Sequence, residues 1–252
     1  MKKQILIFAT LLTLLACSES GPPAEGGGAA AEAAAPRTDT AAPAPEPVNI
    51  QAPASEYRLD PHHSSLLFSV THLGLSNYVM RFSDFDVALD LKPDDLPASS
   101  VTVTIDPTSV ATDFEGDYQK THPDSPFETW EQDLAQSPKF LNAGEYPTIS
   151  FESRRVTPTD KGTLLVEGDL ELLGKTRPVT LEAEVVGAMA QHPMQGVGAL
   201  GFSAEGSFKR SDFGMTHLLE PPLVGDTVTV RFEGELLQAT PETPETPETG
   251  EY

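Results

Sequence analysis

The residues able to do chemistry are few, and their spacing is uninformative for catalysis. There are six histidines (His62, His63, His72, His122, His192 and His217) and one cysteine, Cys17. Acyl transfer needs a nucleophile, a base and an orienting acid in mutual reach. His63 adjoins Ser64, but neighbours on a strand point to opposite faces. His63 and His72 fall on opposite parities of one alternating run, so that run does not direct them to a shared metal. Nucleophile elbows, phosphate-cradling loops and His-Glu-x-x-His helices are absent from the sequence. Glu167, Asp169 and Glu171 alternate with apolar residues and read as a solvated sheet face, not a calcium loop. We therefore expect no catalytic residue, no metal and no cofactor. Two polar groups keep a second reading. His72 shares the parity of Leu66, Phe68 and Val70, so it makes a structural hydrogen bond or faces whatever the inward parity encloses. Arg210 and Asp212, two apart, share a face of extended chain. They form a clasp around Phe213-Gly214, or Arg210 meets a polar head, since its fork suits phosphate.

The elements that position these residues are strands. Period-2 alternation recurs along the chain: Ser64 to His72; Phe85, Val87, Leu89 and Leu91; Val101, Val103 and Ile105; Ile149 and Phe151; Val166 to Leu172; Val179 to Val185; Leu200 to Phe208; and Val228 to Leu236. Turn signals separate them at Leu73-Gly74, Lys92–Asp95, Thr159–Gly162, Leu173–Lys175 and Val224–Asp226. About eight such strands close an antiparallel barrel able to hold one small ligand. One segment breaks the period. Asp124–Gln136 predicts a helix capped by Ser125, with Pro126 in its first turn and Phe127, Trp130 and Leu134 on one face. The small inward positions Ser64, Gly168, Ala183, Ala204 and Gly206 suit a cavity, but periodicity alone leaves hollow and filled interiors open.

Charge sets the outer bounds. The chain of 252 residues carries a formal net charge of −22. Nucleic-acid binding through a basic surface is excluded by that sign. One cysteine excludes an internal disulfide framework. Residues 1–16 read as a signal peptide, with Lys2-Lys3 ahead of the 11-residue apolar run Ile5–Leu15, too short to span a bilayer. Residues 17–55, rich in Ala, Pro and Gly, predict a disordered linker, and 240–252, with Thr-Pro-Glu three times over, a solvated tail. The folded domain is expected at 56–239 and holds −16 of the charge.

Two resemblances add to this. Leu14-Leu15-Ala16-Cys17 resembles the bacterial lipobox, which implies acylation of Cys17, a membrane-tethered chain in the cell envelope facing the periplasm and, with Ser18 following, outer-membrane sorting. Five strings in order, Tyr57–Ser76, Val101–Thr112, Phe140–Phe151, Glu167–Leu181 and Lys209–Met215, resemble the YceI-like, polyisoprenoid-binding family across nearly all of 57–237. The resemblance implies a lipocalin-like all-β barrel with an apolar channel and a long-chain isoprenoid-type or quinone-like lipid as partner. The channel wall is then expected from Leu66, Phe68, Val70, His72, Phe85, Val87, Val103, Ile149, Phe151, Val166, Leu170, Leu181, Phe202, Phe208 and Phe213, with Arg210 and His72 near the head group. Two segments depart from the family pattern: Val79–Phe82, and the longer stretch Asp113–Gln136. The alternatives are a lipid-modifying enzyme and an envelope stress or interaction module with a filled barrel. Oligomeric state is not legible.

Overall fold

The computed structural model describes residues 48–220 and 223–240. The expected signal peptide, Cys17 and most of the linker and tail lie outside them. Eleven strands form one antiparallel sheet: β1 (Ser55–Leu59), β2 (Ser65–His72), β3 (Ser76–Phe82), β4 (Phe85–Leu91), β5 (Ser100–Ile105), β6 (Val110–Ala111), β7 (Ile149–Pro158), β8 (Leu164–Leu172), β9 (Lys175–Met189), β10 (Ala199–Lys209) and β11 (Val224–Gln238). β1 pairs with both β4 and β11, which closes the ring.

The barrel has eight staves because three of them are broken. β1 and β2 lie along the same edge of β11, β3 and β4 are separated only by Ser83-Asp84, and β5 and β6 by 106–109. The breaks sit side by side: Asp106 N–H donates to the Asp84 carbonyl at 3.1 Å, and Ser83 N–H to the Ser109 carbonyl at 3.1 Å. The ring through β1, β4, β5 and β7–β11 has no edge strand, while β6 pairs only with β3.

Turn chemistry accounts for the register. Leu73-Gly74 and Leu173-Gly174 all have positive φ, 53° and 67°, then 52° and 66°. Two successive left-handed residues match the right-handed twist of a hairpin, although leucine adopts that region reluctantly. Val224-Gly225-Asp226 is not the turn its composition suggests. It lies inside β11 as a bulge, where the register with β2 shifts.

Two other expectations are corrected. The helix α2 covers only Trp130–Gln136, capped by Thr129, whose hydroxyl accepts the Gln132 N–H at 3.1 Å. Ser125 instead accepts the Phe127 N–H at 3.2 Å in a local turn, and a separate short helix, α1 (Tyr118–Thr121), is capped by Asp117. The linker boundary at 56 is also too late. Ile50 and Ala52 are buried in the core, because two apolar side chains outweigh the surrounding Pro and Ala composition once a barrel end is there to receive them.

Candidate functional site

The inward parities of the staves converge on an apolar cavity of about 190 Å³. Its wall comes from all eight staves, plus Ile50 from the entering segment and Leu96 and Ser99 from the β4–β5 connection. Ser99 is its one polar residue. The Ser99 hydroxyl is already engaged, accepting the Lys92 N–H at 2.9 Å. A site this apolar, with no free polar group to hold water, stays dry, and its volume exceeds the roughly 150 Å³ that accepts a benzene ring. It is below the roughly 300–1,000 Å³ of pockets for drug-sized ligands. The barrel is thus neither close-packed throughout nor hollow along its length.

Ten of the residues expected on the wall line this cavity: Leu66, Phe85, Val87, Val103, Phe151, Val166, Leu170, Leu181, Phe202 and Phe208. The rest do not. Phe68 and Val70 lie further along β2 than Leu66, and Phe68 stacks on Phe82 at 4.9 Å. Ile149 is buried opposite Ile105 in the ladder, and Phe213 packs edge-on to Phe208 at 5.3 Å. Leu89, Leu91, Val101, Ile105, Val230 and Phe232 also line the cavity. Their signal was present in the alternation. Ile50, Leu96, Ser99, Val156 and Leu164 carried no such signal. Gly168 and Gly206 are not spare room: a β-carbon on Gly168 would overlap the Phe151 ring and the Glu152 carbonyl.

The two polar groups expected at a head group are placed elsewhere. His72 is exposed at the tip of β2, opposite Ser76 and Val224, and is not part of the cavity wall. Arg210 is only 3% exposed. It opens a 3-10 turn, Arg210–Phe213, so Arg210 and Asp212 do not share an extended face. Its guanidinium donates to four carbonyls: Gly225 at 2.8 Å, Met215 at 3.2 Å, His217 at 2.7 Å and Val224 at 3.0 Å. Burial pushes its pKa down and Asp226 opposes that. Asp226 also accepts the backbone N–H and hydroxyl of Ser211, each at 2.9 Å. Arg210 is the clasp that ties the β10–β11 connection to the bulge.

A second clasp holds the break between β1 and β2. The buried carboxylate of Asp60 accepts the His62 N–H at 2.9 Å and faces His63 Nδ1 at 2.9 Å. Hydrogen bonding to His63 lowers the Asp60 pKa, and the same bond raises that of His63. Across the break, Ser64 Oγ accepts the Glu235 N–H at 3.1 Å. Glu235 also brings a carboxylate within 4.8 Å of the Asp60–His63 pair. Asp60 is buried and His63 is exposed, and the hydrogen bonds of the clasp account for the cluster.

Beyond the breaks, the inserted segment builds an aromatic stack. Tyr118 stacks on His122 at 4.3 Å, Trp130 meets Phe140 edge-on at 5.7 Å, and Phe140 meets His217 at 5.5 Å. Burial, then the nearby Lys139 and Arg210 charges, depress the His217 pKa. Tyr78, on β3, has a buried hydroxyl with no hydrogen-bond partner, the one such side-chain atom among the described residues.

Residues 57–236 match the family pattern described as the YceI-like domain. The chain belongs to the YceI-like family. Protein YceI of Escherichia coli is 34% identical over 183 residues, covering 72% of this chain and 87% of that protein. Among solved structures, Burkholderia cenocepacia BcnA superimposes with a TM-score of 0.56 at 21% identity, covering 72% of this chain and 99% of that one. A polyisoprenoid binding domain from Saccharophagus degradans, implicated in plant cell wall breakdown, gives 0.50 at 17% identity, covering 73% and 98%. At these identities the two structures show the same fold. The YceI-like match begins and ends within one or two residues of the first and last paired positions of β1 and β11, so the family unit is the closed barrel.

Proposed function

We propose that the barrel binds the apolar chain of a long amphiphile, a polyisoprenoid or quinone-like lipid, and sequesters or carries it without chemical change. The observation that carries this is the apolar cavity walled on every stave by Val, Leu, Ile, Phe and Ala. Burial of the chain against such a wall supplies affinity at roughly 25 cal/mol per Å². None of the lining residues is ionisable, so the lipid-modifying alternative has no acid or base within the cavity. An unoccupied volume also weighs against the filled-barrel alternative. The Saccharophagus degradans domain, with the same fold, is named for polyisoprenoid binding, which supports the same class of ligand.

A volume of about 190 Å³ takes only part of a long chain. The ligand therefore enters by spreading the phenylalanines that partly fill the interior, Phe151, Phe202, Phe208 and Phe232. The chain works in the bacterial envelope, lipidated at Cys17 and facing the periplasm from the outer membrane. Native mass spectrometry of protein purified from its own cell envelope tests the reading. A bound lipid, or a mass shift on adding a polyprenol, is expected. Protein that is empty and gives no shift with polyprenols overturns it.

A further inference from the structure

Tyr78 as a whole is half-buried, yet its hydroxyl is closed to solvent, so the tip of the side chain is its innermost part. On β3 it shares the parity of Met80 and Phe82, both buried, while Val79 and Arg81 are exposed. The ring therefore enters the interior. Among the described residues, every other buried side-chain nitrogen or oxygen has a hydrogen-bond partner. The two buried tyrosines show the contrast: Tyr57 donates to the Pro53 carbonyl at 2.8 Å and Tyr118 to the Asp133 carboxylate at 2.5 Å. A buried hydroxyl without a partner forfeits the bond it made to water, and such groups are rare in native proteins.

Register ties this hydroxyl to the cavity. Phe208 pairs with Val228, Val228 with Val70, and Val70 with Tyr78, one row across β10, β11, β2 and β3. Phe208, at the head of that row, lines the cavity. On β2 and β3 the cavity wall stops at Leu66, opposite Phe82. Tyr78 stands four residues beyond Phe82, about 13 Å along the strand. Phe68, stacked on Phe82 at 4.9 Å, lies between the two levels. A chain in the cavity that parts this stack brings its end to Tyr78.

The surroundings fix the charge of that end. No residue of the cavity wall is ionisable. Arg210, buried two residues beyond Phe208, has its guanidinium engaged by four carbonyls. Lys175 and Lys209, which open β9 and close β10 at the same end, are exposed, and so is Lys139. A phosphate carried in to Tyr78 would leave water with no cation to meet it, at prohibitive cost. A phenol is one neutral donor and acceptor. It matches a single uncharged oxygen, an alcohol or a quinone carbonyl, and the apolar surround strengthens that bond.

We propose that the Tyr78 hydroxyl hydrogen-bonds the oxygen of an uncharged lipid head group, so the barrel selects polyprenols or quinones over polyprenyl phosphates and over oxygen-free polyisoprenes. The proposal rests on the cavity reading above and adds the choice of head group. The test is native mass spectrometry of the full chain, wild type and Tyr78→Phe, stripped of copurifying lipid. The probes are hexaprenol, hexaprenyl phosphate and squalene, an isoprenoid hydrocarbon with as many carbons as hexaprenol and no oxygen. Wild type is expected to bind hexaprenol about tenfold more tightly than squalene, and hexaprenyl phosphate no better than squalene. Tyr78→Phe is expected to bring the ratio of hexaprenol to squalene affinity to about one. Without lipid it is expected to melt about 2–4 °C above wild type, since the unpaired hydroxyl is gone. A preference for hexaprenol that survives in Tyr78→Phe overturns the proposal. So does a lower Tm, which would give the hydroxyl a structural partner, and so does tighter binding of the phosphate than of hexaprenol. Equal uptake of squalene and hexaprenol by wild type sinks the head-group contact alone, whereas uptake of neither sinks the cavity reading with it.

Discussion

Replacing Ala204 by leucine should make the empty barrel more stable and a poorer lipid binder. Ala204 lies opposite Ala183 on β9 and Phe232 on β11, and all three line the cavity. The cavity of about 190 Å³, at about 24 cal/mol per Å³, forgoes roughly 4–5 kcal/mol relative to a filled core. Leucine adds three carbons at that point. At roughly 0.8 kcal/mol per buried CH₂, less about 0.5–1 kcal/mol of rotamer entropy, the gain is about 1.5 kcal/mol. For a domain of this size that raises Tm by about 3–6 °C. Polyprenol binding should weaken at least tenfold, because the added side chain occupies the space the ligand needs. Urea titration of the lipid-free protein gives the first quantity, and native mass spectrometry titration the second. Leucine that destabilises the lipid-free barrel would show that the interior is already full. Leucine that stabilises it without weakening uptake would show that the lipid binds elsewhere. Either result refutes the reasoning.

Other outcomes follow from the clasps and the close-packed glycines. Arg210→Met strips four buried carbonyls of their donor and should cost about 3–5 kcal/mol in urea titrations. Arg210→Lys should recover only a fraction, since an ammonium cannot span the same four acceptors. His63→Gln should lower Tm most between about pH 4 and about pH 6.5. The raised His63 pKa means its contribution is complete below the unfolded value and lost as pH rises through the folded one. The lowered Asp60 pKa means its contribution is complete above the unfolded value and lost as pH falls through the folded one. A Tm difference that persists unchanged to pH 9 would refute the ion pair. Gly168→Ala should cost about 1–3 kcal/mol by overpacking against Phe151 and Glu152. A neutral result by thermal melting would mean the position has room after all.

Much of the fold is legible in the residues themselves. The alternation of Val101, Val103 and Ile105, or of Val179, Leu181 and Ala183, records which parity faces inward, because a side chain in the wrong parity would expose its apolar surface. The Leu-Gly turns mark hairpin tips for a backbone reason: each needs two residues at positive φ. Where local patterns misled, long-range geometry was the cause. Arg210 looked available for a ligand because a sequence does not show that the bulge at Val224–Asp226 and the carbonyls of Met215 and His217 converge on it. Thr129 rather than Ser125 begins the helix because the chain turns at 125–128 before the helical turns start.

What the sequence by itself determined is the parity of each strand and the acidity of the outward faces. These are local or additive properties, carried by each residue wherever the chain puts it. Only the tertiary structure decided that three staves break at one level, that Phe68 and Val70 fall beyond the cavity, and that Ile50 comes up to close its wall. Cavity volume is a difference between the space a closed ring encloses and the side chains that fill it. No single strand carries that difference, so it exists only once all eight are paired.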